Sequence, residues 1–183
     1  VLLGLSLVPN FPIIDLTSFN LEVFLLYAVI LFLSFLPHEL MHKVIAQRYG
    51  LFAEFRIIPS YALLTLLFLL VPGGFRIFAP GAVMIGGAAT PQAYGKTSAA
   101  GPATNLVIGA AMFALGLVLP ELAFFFLFGA YFCGWIALFN MIPIAPLDGE
   151  KVLRWSKVGF VVLLVGSLLL FIGGFLILFV VLP

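Results

Sequence analysis

The chain has 183 residues, 64% of them hydrophobic and only 8% charged, and its mean hydropathy is +1.32. No soluble fold of this size keeps so much apolar surface from aggregating, so composition defines a membrane protein. The formal net charge of +1 excludes the basic or acidic excess that marks partners such as nucleic acid, and the sequence holds no Lys/Arg cluster of the lipid-headgroup kind.

A hydrocarbon core about 30 Å thick takes about 20 apolar residues in a helix. Residues 1–8 are apolar but too short alone; they complete a span only with residues upstream or with the apolar part of 11–16. The chain opens at Val1 with neither a basic n-region nor a small-residue cleavage site, so it is not expected to begin with a signal peptide. Spans are expected at 21–48, 101–119, 122–140 and 158–182. Between the first two, the apolar run Tyr61 to Val71 stops at Pro72-Gly73-Gly74, too soon for a crossing, and reads as re-entrant or interfacial. Residues 75–98 are punctuated by Pro80-Gly81, Gly86-Gly87 and Pro91, with short apolar runs such as Phe75 to Phe78 and Ala82 to Ile85, the pattern of a hairpin or loop. The next helix is expected to start at Ala100-Gly101-Pro102, with Pro102 in its first turn. Small residues at Ala110 and Ala114, and at Ala130 and Gly134, have the spacing that lets membrane helices approach closely. The single cysteine, Cys133, lies in an aromatic apolar run and reads as packing. The expected fold is an all-α polytopic membrane protein, a bundle of about four to six transmembrane helices interrupted by this re-entrant or β-hairpin-like segment.

All eight basic residues gather on one face of the bilayer if residues 57–98 enter and leave on the same side, and that face is then cytoplasmic. Lys43 lies in the last turns of its helix. Arg48 and Arg56 follow the first strong span, Arg76 and Lys96 precede the next, and Lys151, Arg154 and Lys157 follow the span ending at Asn140.

Chemistry concentrates in Pro37-His38-Glu39-Leu40-Met41-His42, which holds both histidines of the chain. On a helix, positions i and i+4 share a face, so His38 and His42 can bind one metal while Glu39, rotated by about 100°, reaches a water beside it. This is the HExxH arrangement of zinc hydrolases. Pro37 removes a helical hydrogen bond just before it. The alternative is a pair of satisfied interfacial histidines with Glu39 facing Arg or Lys. Against that, ionisable side chains inside membrane helices cost at least about 2.5 kcal/mol each, and metal ligation supplies the compensation.

Catalytic zinc takes three protein ligands and a water, so a third group is needed. Glu22 and Asp15 lie far back along the chain, Glu121 falls at the opposite membrane face, and Glu54 and Glu150 have exposed contexts. Asp148 follows a long apolar span in Asn140-Met141-Ile142-Pro143-Ile144-Ala145-Pro146-Leu147-Asp148-Gly149, where prolines and glycine imply the broken backbone that lines membrane cavities. Its other reading is a turn residue pairing with Lys151.

These residues resemble the site-2 proteases, intramembrane metalloproteases that pair HExxH with NxxPxxxxDG on a later helix. The second motif reads Asn140 to Gly149, and the family's intervening GPxxN element reads Gly101-Pro102-Ala103-Thr104-Asn105. The three occur in family order and cover 38–149. The resemblance implies Zn2+ bound by His38, His42 and Asp148, Glu39 as general base, and Asn140 as a polar group near the substrate carbonyl; Asn140 can equally tie off carbonyls freed by Pro143. It also implies a β element that holds an unwound substrate strand by edge pairing. The chain is similar to compact archaeal or bacterial members without a PDZ or CBS module, so residues 1–183 read as one membrane-embedded protease domain with its catalytic core at 21–157. Expected partners are a transmembrane protein substrate and the lipid bilayer, with no nucleic acid; the expected location is the cell membrane, with the site nearer the cytoplasmic face. The competing readings are a metal transporter, which needs a relay of sites, and a catalytically silent scaffold, which has no use for Glu39.

Overall fold

The computed structural model describes residues 21–60, 63 and 81–181. In chain order these form α1 (Leu21–Arg48), β1 (Phe52–Ile57), β2 (Gly81–Gly86), α2 (Pro91–Val118), α3 (Ala123–Asn140), α4 (Asp148–Trp155) and α5 (Lys157–Leu176). A 3-10 turn at Pro120–Leu122 joins α2 to α3, and a π-helical turn at Ile177–Val181 continues α5. Four segments are long and apolar enough to cross a membrane: Ala28–Arg48, Pro91–Val118, Pro120–Asn140 and Lys157–Leu176. The protein is therefore an all-α polytopic membrane protein with one small sheet among the described residues. The possible span at 1–16, the re-entrant run Tyr61 to Val71 and the run Phe75 to Phe78 lie outside the described residues.

Helix ends follow local chemistry. Gly50, at φ 70°, takes the left-handed position after α1, where Leu51 N donates to the Ala46 carbonyl at 3.1 Å and Gly50 N to Gln47 at 3.0 Å. This paired closure needs a residue that tolerates positive φ, and it turns the chain directly into β1.

The start of α2 corrects the sequence expectation. The helix begins ten residues before Gly101, at Pro91, because Thr90 caps it by accepting from Ala93 N at 3.2 Å and Pro91 fills the first position, where no N–H is needed. Pro102 consequently sits inside the helix. The expected close-approach residues shift as well. Ala110 and Ala114 are exposed, and the buried stripe of α2 is Gly101, Asn105, Gly109, Met112 and Gly116. On α3, the pair Ala130 and Gly134 does face the bundle: Ala130 is fully buried, and a Cβ on Gly134 would stand 2.6 Å from the Phe171 backbone nitrogen of α5.

The core sits between α1, α3 and the end of α5, where Ile30 packs with Leu127, Phe128, Tyr131 and Phe132 and with Leu178. Cys133 is buried against Met112 and Ala130, which fits its reading as packing. The opposite faces present apolar side chains outward, Val158 at 75% and Val107 at 71% exposure, as expected where the solvent is lipid.

Strand β1 was not legible in advance. It pairs antiparallel with β2 from Phe52↔Gly86 to Ile57↔Gly81. The register brings the two ends of the connection at 58–80 side by side, so that connection leaves and returns at one place.

Candidate metal centre

Three elements deliver the polar groups. His38 and His42 project from α1 one turn apart, their rings 4.8 Å between centroids and nearly perpendicular. Asp148 opens α4, after the irregular stretch Met141–Leu147 in which Pro143 and Pro146 prevent α3 from continuing. Gly149 lets this stretch fold back, since a Cβ there would stand 2.3 Å from the Met141 carbonyl oxygen. Asp148 Oδ2 lies 3.1 Å from His42 Nε2 and 3.4 Å from His38 Nε2. All three residues are buried, and their donor atoms fall within 4.8 Å of one another. Among the described residues no other His, Cys, Asp or Glu grouping of this kind exists.

The donor set fits zinc. Ligands about 2.0–2.2 Å from a tetrahedral ion stand about 3.3–3.6 Å apart, close to the spacings around Asp148 Oδ2. The tautomer of His42 is set by its surroundings: Nδ1–H donates to the Thr97 carbonyl of α2 at 2.7 Å, which leaves the Nε2 lone pair for a metal shared with Asp148. His38 Nδ1 is buried without a hydrogen-bond partner among the described residues. Burial works against ionisation of Asp148, but when the imidazoles carry a proton on Nε2 their charge and hydrogen bonds outweigh it and hold the carboxyl well below the usual carboxylate range. Lys151 is peripheral. Its Nζ donates to the Pro146 carbonyl at 2.8 Å and stays 3.9 Å from Asp148 Oδ1, so the expected alternative pairing is the weaker of the contacts to this carboxylate.

Gly101 of α2 is the closest wall. A Cβ at this position would meet His42 Nε2 at 2.4 Å and His38 Nε2 at 2.6 Å, so only glycine leaves the space between the two imidazoles and α2. One helical turn further on the same face, Asn105 is fully buried, and neither atom of its amide has a hydrogen-bond partner among the described residues.

Glu39 stands outside the cluster. Its Oε2 accepts from Val83 N of β2 at 3.0 Å. Val83 lies opposite Phe55 in the register, and an N–H bonded to Glu39 rather than to β1 belongs to a position facing the open side of β2, because successive residues of an antiparallel strand alternate their backbone groups between the two edges. Glu39 therefore marks where the edge of β2 that has no partner strand among the described residues meets the metal centre. Asn140 is held locally, its Nδ2 donating to the Ile136 carbonyl at 3.0 Å. The Phe139 carbonyl facing Pro143 is taken by Ile142 N at 3.2 Å, so Asn140 is not what satisfies it. Three further acids lie elsewhere: Glu54 pairs with Arg56 at 2.8 Å on β1, Glu150 pairs with Arg154 on α4, and Glu121 sits in the 3-10 turn beyond the far end of α2.

The sequence reading missed three contributors. Gly101 was noted only as part of a motif. The Thr97 carbonyl and the Val83 N–H are backbone groups, which leave no residue signature; only the register of α2 and β2 against α1 reveals them.

An all-α membrane bundle that buries two histidines and an aspartate within reach of one ion has the donor set of a membrane metalloprotease. The chain is 38% identical over 143 residues to the Methanocaldococcus jannaschii protein named as zinc metalloprotease MJ0611, a match covering 76% of this chain and 74% of that one. It is 32% identical over 148 residues to the Mycobacterium tuberculosis protein named as zinc metalloprotease Rip3, covering 72% of this chain but only 32% of Rip3. No protein-family model and no solved structure matches it. The chain belongs to the site-2 protease family of zinc metalloproteases.

Proposed function

We propose that this protein hydrolyses peptide bonds in or near the transmembrane segments of membrane-protein substrates, within a single domain whose catalytic core is residues 21–157. The observation that carries the proposal is the placement of Glu39, next to His38 of the buried His38, His42 and Asp148 cluster yet engaged with the edge of β2 left without a partner strand among the described residues. His38, His42 and Asp148 hold the metal. Bound there, zinc supplies a Lewis acid that acidifies water and polarises a carbonyl. Glu39 accepts the proton released by the attacking water and passes it to the leaving amine. The open edge of β2 offers backbone donors and acceptors to an unwound substrate strand, which a helical segment must become before its peptide bond is accessible. Asn140 adds a hydrogen bond to the developing oxyanion once its amide turns from Ile136. A transport role is disfavoured by the single cluster among the described residues, since a pathway needs a second site.

Zinc analysis tests the ligand set. Purified protein is expected to hold about one zinc per chain, and Asp148→Asn to lose most of it. Retention equal to wild type in a folded variant assigns the third ligand to another group.

The site lies toward the cytoplasmic end of the bundle in this reading. Arg48 and Lys96 line one groove together with Trp155, and Trp155 packs so tightly on α2 that a Cβ at Gly95 would stand 2.1 Å from its own Cβ. The basic residues around Arg48, Lys96 and Lys157 thus share one end of the structure, and positive charge favours the cytoplasmic side. In oriented vesicles, Lys96→Cys and Lys157→Cys in a Cys133→Ala background are expected to react from the same, cytoplasmic face. Labelling from opposite faces refutes the arrangement.

A further inference from the structure

A groove of about 630 Å³ runs along the outer side of α1 and α2, beside the metal centre. Its size lies within the range of small-ligand sites, about 300–1,000 Å³. It exists because Ala99, Ala100 and Ala103 of α2 present almost no side chain toward Met41 and Ile45 of α1. The two helices run antiparallel here, as shown by His42 meeting Thr97 while Gly101, one turn further along α2, reaches His38 as well. The end of α1 therefore meets the beginning of α2, and Arg48 and Lys96 line the same end of the groove, with Tyr49 and Trp155 beside them.

The chemistry is graded along the groove. One end offers two cations, neither of which forms an ion pair among the described residues, and no acidic side chain lines the cavity. Tyr49 and Trp155 are of the type that settles at the headgroup level of a bilayer. Further along, the walls are apolar, and Val107 stands 71% exposed on the lipid-facing side. Thr104 contributes the only hydroxyl beyond the aromatic end among the described residues, and it is committed to the Ala100 carbonyl at 2.8 Å. An unwound peptide would leave its backbone groups unmet against such walls, whereas an acyl chain has none to satisfy.

We propose that this groove is a binding site for an anionic phospholipid, its phosphate between Arg48 and Lys96 and one acyl chain along the alanine-lined cleft between α1 and α2. The sequence holds no contiguous basic cluster because the fold assembles the pair from two helices. Its floor carries the same turns as the catalytic centre: Met41 lies between the histidines in sequence, and Ala100 precedes Gly101. A bound lipid thus braces the α1 and α2 contact that the metal ligands depend on.

The test uses the full chain in lipid nanodiscs with Trp135→Phe, which leaves Trp155 as the single tryptophan of the two in the sequence. Quenching of Trp155 is measured with phosphatidylglycerol or phosphatidylcholine brominated on the acyl chain. Phosphatidylglycerol is expected to associate roughly thirtyfold more strongly, from two basic side chains at a lipid surface. The Arg48→Ala/Lys96→Ala double variant should lose that preference, and Arg48→Lys/Lys96→Arg should keep it, with far-UV circular dichroism reporting intact folding in each. Inorganic phosphate at millimolar concentration should not reverse the quenching; if it does, the site recognises free phosphate and not lipid. Equal quenching by both lipids, or a preference that survives the double alanine variant, overturns the proposal. So does displacement of both lipids alike by a substrate transmembrane peptide, which would make the groove a substrate path.

Discussion

Glu39→Gln is expected to lower cleavage of a membrane substrate by at least about 10²-fold while zinc stays bound, the lower range for loss of a positioned general base. Three observations make the substitution clean. Glu39 is not among the clustered donors, so the ligand set is untouched. Glutamine matches its size. Its amide oxygen can still accept from Val83 N, the contact Glu39 Oε2 makes at 3.0 Å, so β2 keeps its anchor on α1. What disappears is the capacity to take a proton. A transporter or scaffold would depend on His38 and His42 but not on an acceptor one residue away, and full proteolysis by the zinc-loaded variant would leave the mechanism without its base.

The second large effect is expected at a residue with no donor atom. Gly101→Ala should weaken zinc binding by about 10²-fold, at the upper end of what disturbing the surroundings of metal ligands costs, and activity should fall with it, as it should for His38→Ala. The added methyl would stand 2.4 Å from His42 Nε2 and 2.6 Å from His38 Nε2, so either the imidazoles rotate away or α2 retreats. Helix propensity works in the opposite direction, because alanine is favoured over glycine inside a helix by roughly 0.5–1 kcal/mol. A loss of metal therefore cannot come from a weaker helix. Gly173→Ala on α5 is the control: its nearest new contact, Phe113, would be an ordinary 3.5 Å, and zinc content should not change. Wild-type zinc affinity in Gly101→Ala would show that the two helices separate at no cost and that the contact does not shape the site.

The parts of this protein legible in its sequence are those written in side-chain type and spacing. His38 and His42 share a helix face because four residues separate them, and the prolines before Asp148 announce a break that can turn a carboxylate inward. The four apolar runs were readable from length alone. The start of α2 was misplaced because two prolines compete for the first helical turn; the decisive signal was Thr90, whose side chain caps the helix ahead of Pro91. Strand β1 escaped notice because lipid and sheet reward apolar residues alike. Phe52 is exposed at 61% and Ile57 at 68%, so the alternation that marks a half-buried strand in water is erased. The partners of the site residues were hidden for another reason. A carbonyl at Thr97 or an N–H at Val83 belongs to every residue, and only tertiary register selects which one is used.

The pairing of Ile57 with Gly81 is a clasp that closes the two ends of the segment between them. β1 and β2 are held together by their own backbone bonds, and Glu39 ties β2 to α1, so the closure does not depend on the length of the chain between the strands. The cost of closing such a segment grows only slowly with length, about 0.6 kcal/mol for each doubling. A change in the length of residues 58–80 therefore leaves the pairing of β1 with β2, and with it the Val83 contact to Glu39, in register.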